Sequence, residues 1–149
     1  MFYEDFPVGF TFETASRQLT LDEIIEFATQ WDPQSFHIDE TAAKTSAFGG
    51  IIASGFHTLT TAFRLTIDTG LFTECSMGSP GMDEVRWRLP VRPNDSLQVH
   101  AKVISARVSE TKPDRGVVSI WYQVLNQNAL DVAHYTTLQI LRRKTAANM

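Results

Sequence analysis

The residues best suited to chemistry lie close together between Phe27 and Phe56, in the stretch FATQWDPQSFHIDETAAKTSAFGGIIASGF. Asp32 and His37 stand five residues apart, across the turn-prone segment Asp32-Pro33-Gln34-Ser35. A carboxylate and an imidazole at that spacing form a candidate acid/base pair, because both groups can take up and release protons in the working pH range of enzymes. Further on, Gly49-Gly50 and an apolar run lead to Ser54-Gly55, where a long apolar segment begins. A glycine at a helix start presents a bare backbone N–H at the positive end of the helix dipole. Addition or removal of water at an activated carbonyl compound needs both parts: an acid/base pair and a donor for the developing negative charge. Taken singly, Asp before Pro is also an ordinary turn residue, and a lone histidine is more often packed than reactive. The combination singles the stretch out.

Secondary-structure elements must hold these groups in place. Thr20-Leu21-Asp22-Glu23 is a capping-box pattern. Ile24, Ile25, Phe27, Ala28 and Trp31 follow at helical spacing, so a helix is expected to run to about Trp31. Pro33 biases Asp32 away from helical backbone and so places it at the helix C-terminus. That is an unfavourable seat for a carboxylate, because the negative end of the dipole lies there. Asp39 is placed to cap a short helix over about Glu40–Thr45. Phe56, Leu59, Ala62, Phe63, Ile67 and Leu71 then recur at three- and four-residue intervals. They predict a central helix from about Gly55 to Thr69, mostly apolar and largely buried, with Gly70 as its stop.

The rest of the pattern has a period of two. Phe10–Thr14 alternates and reads as a strand, and after a loop over Ser76–Gly81 so do Val85, Trp87 and Leu89. Leu97, Val99, Ala101 and Val103 continue it, and Val117–Val124 and Val132–Leu141 complete the set. The links Arg92-Pro93-Asn94-Asp95, Lys112-Pro113-Asp114-Arg115-Gly116 and Asn126-Gln127-Asn128 carry turn chemistry. These elements predict an α+β fold, a curved antiparallel meander of about five strands around one long helix. A single sheet leaves a face and an edge to cover, so a homodimer or higher homo-oligomer is expected.

Bulk properties narrow the setting. A chain of 149 residues is expected to form a single domain over 1–149. A net charge of -4, with both signs interspersed, argues against a general nucleic-acid binder. Cys75 has no partner for a disulfide or a thiolate metal site. The start MFYEDFPVGF lacks the basic-then-apolar pattern of a signal peptide, and no apolar run reaches membrane-span length, so a cytoplasmic protein with no membrane partner is expected. The tail from about Lys144 to Met149 reads as a fraying terminus.

With these residues laid out, the chain resembles the MaoC-like dehydratase family, which includes the (R)-specific enoyl-CoA hydratases and has the hotdog fold. The resemblance rests on FATQWDPQSFHIDETAAKTSAFGGIIASG, similar to the family's hydratase signature, and on GSPGMDEVRWRLPVRPNDSL, similar to the segment after the central helix. It implies that Asp32 and His37 are the catalytic pair and that the Gly55 amide binds the thioester carbonyl. Glycine there would let the acyl group approach closely. Many members read Ala-His-Gly where this chain reads Ala53-Ser54-Gly55, a departure expected to bear on pocket shape and substrate preference more than on reaction class. The implied reaction is hydration of 2-enoyl thioesters, or the reverse dehydration of 3-hydroxyacyl thioesters, with no metal and no cofactor. The acyl carrier would be coenzyme A or acyl carrier protein. Arg86, Arg88, Arg92, Lys112 and Arg115 are available for its phosphates.

Two other functions compete. A hotdog thioesterase would place a carboxylate on or near the central helix, where only Asp68 stands, at the far end. A non-catalytic acyl-thioester-binding subunit would need no acid/base pair. Of the other histidines, His57 is expected to pack and His100 to be solvated, while His134 has no assigned role. Trp31, Trp87 and Trp121 read as core or interface residues.

Overall fold

The computed structural model describes residues 1–145, and residues 146–149 lie outside the description. The expected loose tail is therefore open to inspection only at its start. There Lys144 is anchored, with its Nζ 2.6 Å from Asp5 Oδ1 and its N–H donating to Glu4.

Six strands form one antiparallel sheet: β1 (Thr11–Glu13), β2 (Arg17–Gln18), β3 (Gly81–Trp87), β4 (Ser96–Val108), β5 (Arg115–Leu125) and β6 (Asp131–Arg142). The order is β1-β4-β5-β6-β3, with β2 also on β4. The count exceeds the five expected because the chain re-forms a two-residue pairing with β4 after leaving β1. Strands β4, β5 and β6 make the predicted meander, but β3 does not precede β4 in space; it pairs with β6 at the opposite edge. The connection from β3 to β4 must therefore cross the end of the sheet. On the way the N–H of Arg88 bonds the Val132 carbonyl at 2.8 Å, and the Val91 carbonyl accepts from Ala53 N–H at 2.8 Å. That crossing becomes one wall of the site.

Along β5 every second residue is buried, from Gly116 through Val118, Ile120 and Tyr122 to Val124, as the two-residue period requires. Val99, Ala101 and Val103 of β4 lie opposite Val124, Tyr122 and Ile120 and are buried with them. The central helix α4 (Gly55–Asp68) packs Ala62 and Leu65 into this core. Helix α1 (Leu21–Trp31) starts at the predicted box, with Thr20 Oγ1 accepting from Glu23 N–H and Glu23 accepting from Thr20 N–H. Between them stand α2 (Ser35–Ile38) and α3 (Glu40–Lys44), the latter capped by Asp39 as expected. This is the hotdog arrangement of the α+β class.

The central helix departs from expectation in which face it buries. Thr58, Thr61 and Thr66 are buried, whereas Phe56, Phe63 and Ile67 are 62%, 64% and 44% exposed. One sheet layer covers only one side of a helix. Thr66 tolerates the inward side because its hydroxyl bonds the Ala62 carbonyl within the helix at 2.9 Å. Of the tryptophans read as core or interface residues, Trp31 and Trp87 lie outside the core, being 66% and 49% exposed.

Candidate active site

Asp32 is the C-cap of α1, with φ -154° and ψ 67°, and its N–H still bonds the Ala28 carbonyl at 2.8 Å. Pro33 ends the helix there, so the carboxylate faces a junction between elements. Two donors and an imidazole nitrogen converge on it. Gln34 Nε2 bonds Oδ1 at 2.7 Å, Ser54 Oγ bonds Oδ2 at 2.7 Å, and His37 Nε2 lies 3.2 Å from Oδ2. Burial pushes the Asp32 carboxyl up; the hydrogen bonds from Gln34 and Ser54, with the charge and hydrogen bond of His37, outweigh it and hold the carboxyl below its ordinary value.

His37 sits on α2, a single helical turn where the sequence pattern suggested only a turn. It is 4% exposed, and its Nδ1 lies 2.6 Å from the Ile52 carbonyl oxygen. A carbonyl only accepts, so Nδ1 carries a hydrogen and donates. In a neutral ring Nε2 then carries none. The contact between Nε2 and Asp32 Oδ2 is favourable only when the pair holds one further proton, on the ring or on the carboxyl.

Ile51–Ser54 is the segment that registers both side chains. Its Ile52 N–H bonds the Phe36 carbonyl at 3.2 Å, and its Ala53 N–H bonds Val91. Ser54 then caps α4, its Oγ accepting from Phe56 N–H at 3.3 Å. Gly55 is the first residue of α4, so its amide has no carbonyl four residues back within the helix. Asp32, His37 and Gly55 together line one cavity of about 410 Å³, walled by Phe48, Phe56 and Trp87. Its apolar walls and few polar groups are the make-up of a small-molecule site.

A Cβ built on Gly55 would lie 2.4 Å from Cε2 and Nε1 of Trp87. Glycine at this position therefore makes room for the indole, a neighbour not anticipated from the sequence. Ser54 is fully buried and does not line the cavity, so the departure from Ala-His-Gly bears directly on Asp32 instead of on the pocket wall. Of the cations considered for a phosphorylated carrier, Arg88 borders the cavity. Arg115 is paired with Asp114 at 2.8 Å in the β4–β5 turn.

The remaining candidates fall elsewhere. His57 is buried, stacked on Phe27 at 4.4 Å, with its affinity for protons lowered by burial. His100 lies 3.6 Å from Glu13 at the outer side of β4, and His134 pairs with Asp131 at 2.9 Å on β6. Cys75 is buried, which pushes its thiol up. The parts that the sequence did not reveal were Gln34, the hydroxyl of Ser54, the Ile52 carbonyl and Trp87. Only Ser54 carried a signal, as a preferred N-cap residue directly before the apolar helix.

A family model described as a MaoC like domain matches residues 5–120. The uncharacterized protein YdeM of Bacillus subtilis is 31% identical over 129 residues, which cover 87% of this chain and 90% of that protein. The crystal structure of a MaoC-like dehydratase from Rhodospirillum rubrum is similar with a TM-score of 0.90 and 35% identity, over 97% of this chain and 99% of that one. The R-hydratase PhaJ1 from Pseudomonas aeruginosa shares the fold, with a TM-score of 0.72 at 21% identity over 96% of this chain and 86% of that one.

Proposed function

The chain belongs to the MaoC-like dehydratase family, and from that premise we propose that it adds water to 2-enoyl-CoA thioesters and removes it from 3-hydroxyacyl-CoA thioesters. The observation that carries this reading is the approach of His37 Nε2 to within 3.2 Å of the Asp32 carboxylate beside a helix-terminal amide in one cavity. Hydration needs a base for water and an acid for the α-carbon, and a pair holding one extra proton supplies both.

In the forward direction Asp32, as carboxylate, takes a proton from water while the water oxygen bonds to Cβ. The electron pair of the Cα–Cβ double bond moves toward the thioester, and negative charge builds on its oxygen. The Gly55 N–H, aided by the α4 dipole, stabilises that charge. His37 delivers the proton from Nε2 to Cα, and the proton now on Asp32 returns to His37. Water and proton arrive from the same side, so addition is syn and yields one stereoisomer. Arg88, at the cavity border, suits the phosphates of the carrier.

The chain is also proposed to work as a homodimer. The outer edge of β3 carries Met82 and Trp87, and α4 presents Phe56, Phe63 and Ile67 beside Trp31, all more than a third exposed. An open strand edge next to an apolar helix face favours a self-complementary contact.

A thioesterase is less well supported. Asp68, the carboxylate on the central helix, is its last residue and is paired with Arg64 at 2.8 Å on the surface. The test is loss of enoyl-thioester absorbance with crotonyl-CoA. Turnover that is abolished in Asp32→Asn and His37→Ala supports the hydratase; release of free thiol instead moves the assignment to hydrolysis.

A further inference from the structure

We infer that Ser54 is a positioning residue: it fixes the carboxylate of Asp32 and locks it to the amide that binds the carbonyl. The inference rests on the hydratase reading for its kinetic consequence, and on geometry alone for its structural one. Ser54 is fully buried and outside the cavity lining, so it touches no substrate. Its single hydroxyl makes two bonds, to Phe56 N–H at 3.3 Å and to Asp32 Oδ2 at 2.7 Å. Their directions are forced. A backbone N–H only donates and a carboxylate only accepts, so the hydroxyl hydrogen goes to Asp32.

A carboxylate offers about four acceptor positions on its two oxygens. Ser54 and His37 meet Oδ2, and Gln34 meets Oδ1. Of the three, Gln34 is exposed and His37 is assigned to the proton transfers, which leaves Ser54 as the fully buried partner with no part in the chemistry. It directly precedes Gly55 in the chain. The base and the carbonyl-binding amide are therefore set by two consecutive residues, through a junction that joins the C-terminus of α1 to the N-terminus of α4.

The groups facing Asp32 are Gln34 next to it in the turn, His37 on α2 and Ser54 at α4, with Arg88 bordering the same cavity. Removing the hydroxyl takes away a donor that favours the charged carboxylate, so its proton affinity rises. It also frees the carboxylate to rotate. A misplaced base lowers kcat, by up to about 10²-fold for a displacement near 1 Å, while KM, set by contacts Ser54 does not make, holds.

The experiment uses the full-length protein as Ser54→Ala, and as Ser54→Gly, which is nearly as good a helix cap as serine. Two readouts are taken: kcat and KM for crotonyl-CoA across pH, and the Asp32 carboxyl titration by carbon NMR, identified by its absence in Asp32→Asn. The expected result is a fall in kcat at constant KM, an acid limb moved to higher pH, and an Asp32 titration moved the same way. Ser54→Thr, which keeps a hydroxyl, returns both to the parent position. An acid limb and an Asp32 titration that stay in place in both hydroxyl-free proteins overturn the inference. A parent protein that turns over no enoyl thioester, with an Asp32 titration that still moves, removes the hydratase reading and leaves the role of Ser54 standing.

Discussion

Two carboxylate–imidazole pairs in this chain share nearly the same contact distance and differ in almost everything else. Asp131 and His134 stand three residues apart on β6, with Nδ1 2.9 Å from Oδ2. Both side chains are 27% exposed, and neither lines the cavity that holds Asp32. A neutral imidazole satisfies that contact by donating its Nδ1 hydrogen to the carboxylate. In the Asp32–His37 pair the Nδ1 hydrogen is already given to Ile52, so the facing nitrogen needs an added proton. The second pair also collects Gln34 and Ser54 on its carboxylate and sits where two helix ends meet. Proximity of Asp to His is thus a poor marker of a reactive site. The commitment of the other ring nitrogen, and the presence of a cavity, are what set the Asp32–His37 pair apart.

Substitutions that treat the two pairs alike sharpen this contrast. Asp32→Asn should lower kcat by about 10²–10⁴-fold, the usual share of general acid–base catalysis. Asp131→Asn should leave turnover at the parent value, because the pair does not line the cavity, and should cost about 1 kcal/mol of stability, as loss of a charge-assisted contact in a part-buried pair does. Equal losses of turnover in the two proteins would falsify the distinction. His37→Ala should abolish the same proton transfers and, by leaving the buried Ile52 carbonyl unpaired, lower stability by about 1–3 kcal/mol; urea unfolding measures it. His134→Ala should change neither as much.

Gly55→Ala keeps the amide but sets a methyl against Trp87. Trp87 is half exposed on an edge strand and can swing away, so the fold should survive while activity falls, by up to about 10²-fold if the pocket shifts near 1 Å. Thermal unfolding beside kinetics separates the two effects. The smallest expected effect concerns acid. A carboxyl held low by folding adds stability above its ordinary value, and that contribution is lost as pH falls through the lowered value. Unfolding of Asp32→Asn, followed downward from pH 5, should therefore show a shallower loss than the parent.

The sequence made the pair itself visible because Asp-Pro and the spacing to His37 are local signals. The caps of α1 and α3 and the start of α4 were legible for the same reason, as was the inward alternation of β4 and β5. Long-range placement was not. Nothing local tells β3 to pair with β6, and the wall from Trp87 to Val91 exists only because of that pairing. Apolar spacing gave α4 its length but misassigned its inner face, where Thr58, Thr61 and Thr66 are buried and Thr66 bonds its hydroxyl to the Ala62 carbonyl within the helix. The tie from Ser54 to Asp32 spans 22 residues, and a one-turn helix as short as α2 leaves no periodicity to read.

The Ile51–Ser54 segment carries one more consequence. Its two inner amides are bonded to different neighbours, Ile52 to α2 and Ala53 to the strand connection at Val91. Neither can exchange its hydrogen with solvent until the neighbour it holds lets go. Deuterium uptake at these two positions therefore reports separately on the part carrying His37 and on the wall opposite. The chain holds its own pair of clocks for the opening of the cavity, readable without any substrate.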